Sequence, residues 1–285
     1  MVLGDYMSVK ELKSVDISSY TIISTGIIAL ISLLISLIIA GIVSLIVPDS
    51  FGVMIYIVPT IVFSSIIWSI FLHFSEAYLY NVLSKKIGHI KFGIEGDYIE
   101  KISTKETALI AGTITLIILI VIYLAFSLLI PLLLSSLITV LMYASQTAVA
   151  SVIYQAMIIT SDYTSIIFGI IASVIFTSVF TLLGTYIYNL LGSSERGIVV
   201  KLEKEGNLTQ LESINPLNFG IAIGAICLIL SFIIGLIMII SGTAVFTALT
   251  SILGTFVATF IEAILIAICY NFLAPRIGKL KVELE

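Results

Sequence analysis

From residue 18 to residue 47 the chain carries no charged side chain, and further long apolar runs follow at about 53–83, 107–130, 164–191, 217–240 and 244–273. Each is at least as long as the ~20 residues that cross about 30 Å of hydrocarbon as an α-helix. Nothing else in the sequence constrains the fold as strongly. Lipid offers the backbone no hydrogen-bond partners, so a segment inside it satisfies its own N–H and C=O groups as a helix. The chain is 60% hydrophobic and only 11% charged, against about 25% charged in ordinary domains. A soluble fold of this composition could not cover its apolar surface, so the sequence reads as a multispan helical membrane protein. Its net charge of −4 gives no reason to expect nucleic acid.

The residues before the first run mix both signs of charge (Asp5, Lys10, Glu11, Lys13, Asp16). The run itself is far too long for a signal-peptide core, so the N-terminal segment is expected to stay in the mature protein. Cys227 and Cys269 fall within predicted spans, and no disulfide framework is expected.

A second pattern organises the first. Tyr80-Asn81, Tyr188-Asn189 and Tyr270-Asn271 each close an apolar run. Nine, eleven and thirteen residues after each Asn stand apolar residues: Ile90, Phe92 and Ile94; Ile198, Val200 and Leu202; Leu280, Val282 and Leu284. Fourteen after each Asn stands a glutamate: Glu95, Glu203 and Glu285. The alternation predicts strands with one covered face. Turns at Gly96-Asp97 and Lys204–Asn207 and returning strands at 98–102 and 208–214 complete two hairpins. The pairs Leu12/Val15, Ile99/Ile102 and Leu211/Ile214 share a three-residue spacing just before the first, third and fifth spans.

Topology follows from the thirteen Lys and Arg residues. They gather at the N-terminus (Lys10, Lys13), after the first motif (Lys85, Lys86, Lys91, Lys101, Lys105), after the second (Arg196, Lys201, Lys204) and at the C-terminus (Arg276, Lys279, Lys281). The connections at 48–52, 161–163 and 241–243 hold none. The positive-inside rule then puts both termini and both charged segments in the cytoplasm of a cell-membrane, multi-pass protein. Pro131 is expected to end the third span, leaving a second apolar piece at 132–159 with a polar stripe (Ser136, Thr139, Tyr143, Gln146 or Thr147, Ser151, Gln155). A full span there would invert the second charged segment, so 132–159 reads as a non-spanning insertion, although a count of seven or eight spans stays open.

The expected fold class is thus an all-α polytopic membrane protein with a small cytoplasmic β layer, made of three parallel repeats of a transmembrane helical hairpin about a pseudo-threefold axis. The repeats are 1–95 (spans 18–47 and 53–83), 96–205 (spans 107–130 and 164–191, insertion 132–159) and 206–285 (spans 217–240 and 244–273). The last strand needs a partner, because an open edge exposes unpaired backbone groups. The N-terminal segment is the natural candidate.

Two readings of the repeated motif stand side by side. Asn suits a helix end and Tyr the interfacial aromatic belt, which makes the pair a stop-and-turn signal. Alternatively, the three Asn side chains converge as a polar ring. Tyr-Asn-Leu, a glycine-containing link and a strand ending in Leu-Glu resemble an uncharacterised transmembrane domain of archaeal and bacterial membrane proteins. The likeness covers about 15 residues per unit and implies the fold unit, not an activity. The Gly-Gly pair of that domain is replaced here by Gly88-His89, Arg196-Gly197 and Gly278-Lys279.

Glu262 lies nine residues before Asn271, about 13 Å along a helix at ~1.5 Å per residue and hence near mid-membrane. Thr255 and Thr259 share its helix. An intramembrane carboxyl is a candidate for proton or cation handling; otherwise Glu262 and the Thr/Gly stripe serve as helix-packing glue. His73 and Glu76 share a face of the second span, but a metal site needs more ligands than these two supply. Gly-x-Ser-x-Gly, Walker, His-Glu-x-x-His and Cys-x-x-Cys signatures are missing from the sequence. The reading is therefore non-enzymatic, without cofactor or metal. It is an integral membrane scaffold or accessory subunit, with the lipid bilayer and either a membrane complex or its own copies as partners. The alternative is a small-solute or ion transporter or channel using Glu262 and the Thr/Ser face.

Overall fold

A computed structural model describes residues 8–47, 50–159, 163–192 and 197–285. The elements run β1 (Ser8–Val15), α1 (Ile17–Ile46), α2 (Phe51–Ile87), β2 (Ile90–Glu95), β3 (Tyr98–Ile102), α3 (Thr104–Tyr143), α4 (Thr147–Ile159), α5 (Tyr163–Leu191), β4 (Ile198–Glu205), β5 (Leu208–Ile214), α6 (Pro216–Ile240), α7 (Val245–Ile277) and β6 (Lys281–Leu284). Among the described residues six helices are long and apolar enough to cross a membrane: α1, α2, Thr104–Ala125 of α3, α5, α6 and α7. The expectation of a multispan helical protein holds.

The chain divides into two compact units, one of residues up to Thr107 with Phe180–Glu285 and the other of Ala108–Val179. The first contains all the strands. They form a closed barrel in the order β1-β2-β3-β4-β5-β6, each pair antiparallel. The pairing that closes it is β1 with β6, Leu12 opposite Leu284 and Val15 opposite Val282. The sequence pointed to this partner. Closure removes the edges that a three-hairpin layer would otherwise expose. Two-residue loops, Gly96-Asp97 and Gly206-Asn207, turn the β2–β3 and β4–β5 hairpins, with glycine first at φ 58° and 62°.

Each of the pairs β1–β6, β2–β3 and β4–β5 carries one bulge. The extra residues are Lys13, Glu100 and Glu212, each one position after Leu12, Ile99 and Leu211. A bulge interrupts the ladder at that point and bends the strand.

Within this unit α6 and α7 pack by shape. Gly220 and Gly224 on α6 lie against Ile264, Phe260 and Phe256 of α7, where a β-carbon would come within 2.6 Å of Ile264 at Gly220 and 3.2 Å of Phe256 and Phe260 at Gly224. Ile23 and Ile27 of α1 pack with Cys269, Tyr270 and Ala274 of α7.

The second unit corrects one boundary. Pro131 does not end the helix of the third span, because α3 continues through it to Tyr143. A proline removes one helix hydrogen bond and crowds the carbonyl four residues back. Breaking the helix in an apolar surrounding would orphan several backbone groups at once, which is the larger cost. The break comes instead at Ala144–Gln146, where Ser145 takes φ 59°. The piece expected at 132–159 is thus the end of α3 plus α4. Of its polar stripe, Ser136, Thr139 and Ser151 turn their hydroxyls back to carbonyls of their own helices.

Candidate functional site

The Tyr-Asn pairs sit inside or at the last turn of their helices. The α2 helix runs six residues past Asn81 and α7 six past Asn271, each stopping at a glycine with positive φ, Gly88 (122°) and Gly278 (116°). The stop signal is the glycine, and the Asn has another task. The Asn81 side chain accepts from Val15 N–H (2.8 Å) and donates to Val15 C=O (2.8 Å). Asn189 does the same with Ile102 (2.8 and 2.8 Å), and Asn271 with Ile214 (2.9 and 2.7 Å). A primary amide carries one acceptor and one donor pair in the geometry of a peptide, so it completes the backbone bonding of the last strand residue.

The tyrosine completes the other loose end. Tyr80, Tyr188 and Tyr270 donate their hydroxyls to the carbonyls of Leu12, Ile99 and Leu211, the residues just before the bulges. The same oxygens accept from the N–H of Ile198 (3.0 Å, Tyr188) and Leu280 (3.3 Å, Tyr270), and the backbone of Ile90 reaches Tyr80 in the same way. Each motif therefore joins the barrel strand before one span to the strand after another. The three Asn amides engage backbone and not one another, which removes the polar-ring reading.

The structure sets Glu262 apart. It is exposed on α7, as is Thr255, while Thr259 turns its hydroxyl to the Thr255 carbonyl (2.8 Å). No hydrogen bond or ion pair joins Glu262 to another described residue. Ala248, Ile252, Ala263 and Ala267 of α7 are buried, but Glu262 and Thr255 stay exposed between them.

The polar groups that do converge lie between α1 and α2. Tyr20 donates to the Glu76 carboxylate (2.9 Å), and its ring meets that of His73 edge-on at 5.6 Å. His73 Nδ1 lies 2.8 Å from both the Ser69 carbonyl and the Ser69 hydroxyl. Further along, Ser32 and Ser65 join hydroxyls at 2.8 Å. Ser36 and Ser69 are almost wholly buried, at 3% and 2% exposure. Thr21 and Thr25 bury hydroxyls without a partner among the described residues. At the far end the hairpin leaves an open cleft of about 400 Å³ lined by Leu37, Gly41, Ser44, Met54, Ile55 and Pro59.

Only His73 and Glu76 of this ribbon stand out as chemistry when each helix is read alone. The signal for the rest was spacing: Ser65, Ser69, His73 and Glu76 fall on one helical face, and Thr21/Thr25 and Ser32/Ser36 are each four apart. Among the described residues no group of three or more His, Cys, Asp or Glu side chains is placed to hold a metal ion.

On the barrel, Glu11 bonds Lys13 (2.7 Å) and Lys91 (3.0 Å), and Lys281 bonds Glu205 (2.8 Å). Lys13 and Lys91 hold the Glu11 carboxyl well below the usual carboxylate range, at about 2. Lys279 pairs with the bulge residue Glu212 and lowers its pKa likewise. No protein-family model, curated protein or solved structure matches this chain.

Proposed function

We propose that the protein is an integral membrane scaffold or accessory subunit that holds a closed β-barrel at the cytoplasmic face and offers it to partners in a membrane complex. The observation that carries this reading is the threefold Tyr-Asn attachment of barrel to helices. Six backbone-directed side chains fix a small domain to the membrane at three points, which is more restraint than a tethered domain needs. The recurrence supports three parallel repeats about a pseudo-threefold axis, with the piece beyond Pro131 as an elaboration of the second and both termini cytoplasmic. The uncharacterised archaeal and bacterial domain that the motif resembles would be the unit repeated.

Purification in mild detergent after cross-linking tests the proposal. A scaffold brings down a stoichiometric partner. The combined Asn81→Leu, Asn189→Leu and Asn271→Leu variant should lose that partner while remaining in the membrane. Recovery of the wild type only as a solitary monomer or homo-oligomer would overturn the reading. Cysteines placed at Asp97 and Asn207 should react with an impermeant maleimide only from the cytoplasmic side.

A further inference from the structure

We infer that the α1–α2 hairpin is a proton path, with Glu76 and His73 as its proton-carrying groups and Tyr20 as the residue that positions Glu76. The ribbon described above runs along the hairpin. It starts at the distal cleft and passes Ser36, the Ser32–Ser65 pair and Ser69–His73, ending at Tyr20–Glu76 beside the barrel. Helix packing alone does not call for these groups. The α6–α7 hairpin of the same unit is closed by glycines against aromatic and aliphatic side chains, so a polar seam is not needed to hold two helices together here.

Four details point to protons. A carbonyl can only accept, so the 2.8 Å contact with Ser69 C=O makes His73 Nδ1 an N–H. That leaves Nε2 as the ring nitrogen not engaged by Ser69. Glu76 lies three residues on, on the same helical face, and keeps one carboxylate oxygen outside the Tyr20 hydrogen bond. The buried Thr21 and Thr25 hydroxyls face no protein partner among the described residues, and such groups are where water enters a buried polar chain. At the cleft end, Pro59 has no N–H to give the Ile55 carbonyl, freeing an acceptor on the cleft wall.

A proton added to His73 Nε2 makes the imidazolium. Its transfer to Glu76 returns the neutral ring and makes the carboxyl, which releases the proton at the barrel end. Nearby charges do not short-circuit this: Asp16 caps α1, Glu11 and Lys13 on β1 pair with each other, and Tyr80 and Tyr270 bond backbone. On α7, Cys269 lies within the Ile23–Ile27 cluster.

Purified protein in phospholipid vesicles, with a potassium diffusion potential and a pH-sensitive dye inside, reads the flux. Wild type should acidify or alkalinise the lumen faster than protein-free vesicles, in the direction set by the potential. Glu76→Gln keeps an acceptor for Tyr20 but cannot carry a proton, and should fall to the protein-free rate; Glu76→Asp should restore part of it. His73→Phe should lose flux as well, and Glu262→Gln should retain it. Matching elution volumes and helical dichroism show that the variants fold. Wild-type flux equal to protein-free vesicles, or Glu76→Gln conducting like wild type, overturns the inference. Neither result touches the scaffold reading, which rests on partner recovery.

Discussion

Asn271 illustrates how much a single side chain does in this fold. Its amide supplies both hydrogen bonds that Ile214 lacks, and leucine of similar size would leave two buried backbone groups unpaired. With about 1–3 kcal/mol for each such group, Asn271→Leu should cost about 2–6 kcal/mol, read as a lower unfolding midpoint in detergent. Asn271→Asp keeps the acceptor but sets a carboxylate against the Ile214 carbonyl, and should be no better. Tyr270→Phe should lose about 1 kcal/mol. A second residue-scale expectation concerns acid. The Glu11 pKa is depressed from 4.5 to about 2 by Lys13 and Lys91. Its contribution is therefore full above pH 4.5 and lost as pH falls towards 2. Wild type and Glu11→Gln should converge in stability across that window. A gap that stays constant through it would remove the ion pairs from the account.

At the scale of elements, the helices stop where glycine allows a backbone other residues avoid. Gly278 sits at φ 116° and ψ 143°, a region open almost only to glycine, so Gly278→Ala should cost about 1–3 kcal/mol. The loss should appear as fraying of β6 in hydrogen exchange, because the link that aims that strand would be strained. The α6–α7 contact makes the opposite demand, for smallness. A leucine at Gly224 would drive Phe256 and Phe260 off α6. Overpacking of this kind costs about 1–3 kcal/mol, and the Gly224→Leu unfolding midpoint should drop accordingly. Pro131 shows how local grammar can mislead. In water a proline ends a helix cheaply, since the freed groups are hydrated, whereas in an apolar surrounding the same proline is carried through.

For the whole molecule, barrel closure by β1 and β6 joins residues some 270 positions apart, as in the Ser14–Glu283 hydrogen bond. Deleting residues 279–285 would open β1 and β5 as edges, and the expected outcome is self-association in detergent with faster proteolysis of β1. The six long apolar helices, the strands, the hairpin turns and the pairing of the two terminal strands could be read from the sequence, though not the run of α3 through Pro131. They rest on periodicity and on backbone groups that must find partners, both local properties of the chain. What only the tertiary structure decided was which side chains meet. Glu262 reads as the exceptional residue while α7 is considered alone, yet the fold leaves it exposed and joins it to no other described residue by a hydrogen bond or ion pair. Ser32, Ser65, Ser69, Thr21 and Thr25 are ordinary residues of apolar helices until α1 lies against α2, and their joining depends on the rotation of one helix about another. The Tyr-Asn motif falls between the two. Its spacing marked the places where helix and strand join, but only the structure shows why both side chains are needed: the hydroxyl meets the carbonyl beside each bulge, and the amide bonds the last residue of the strand.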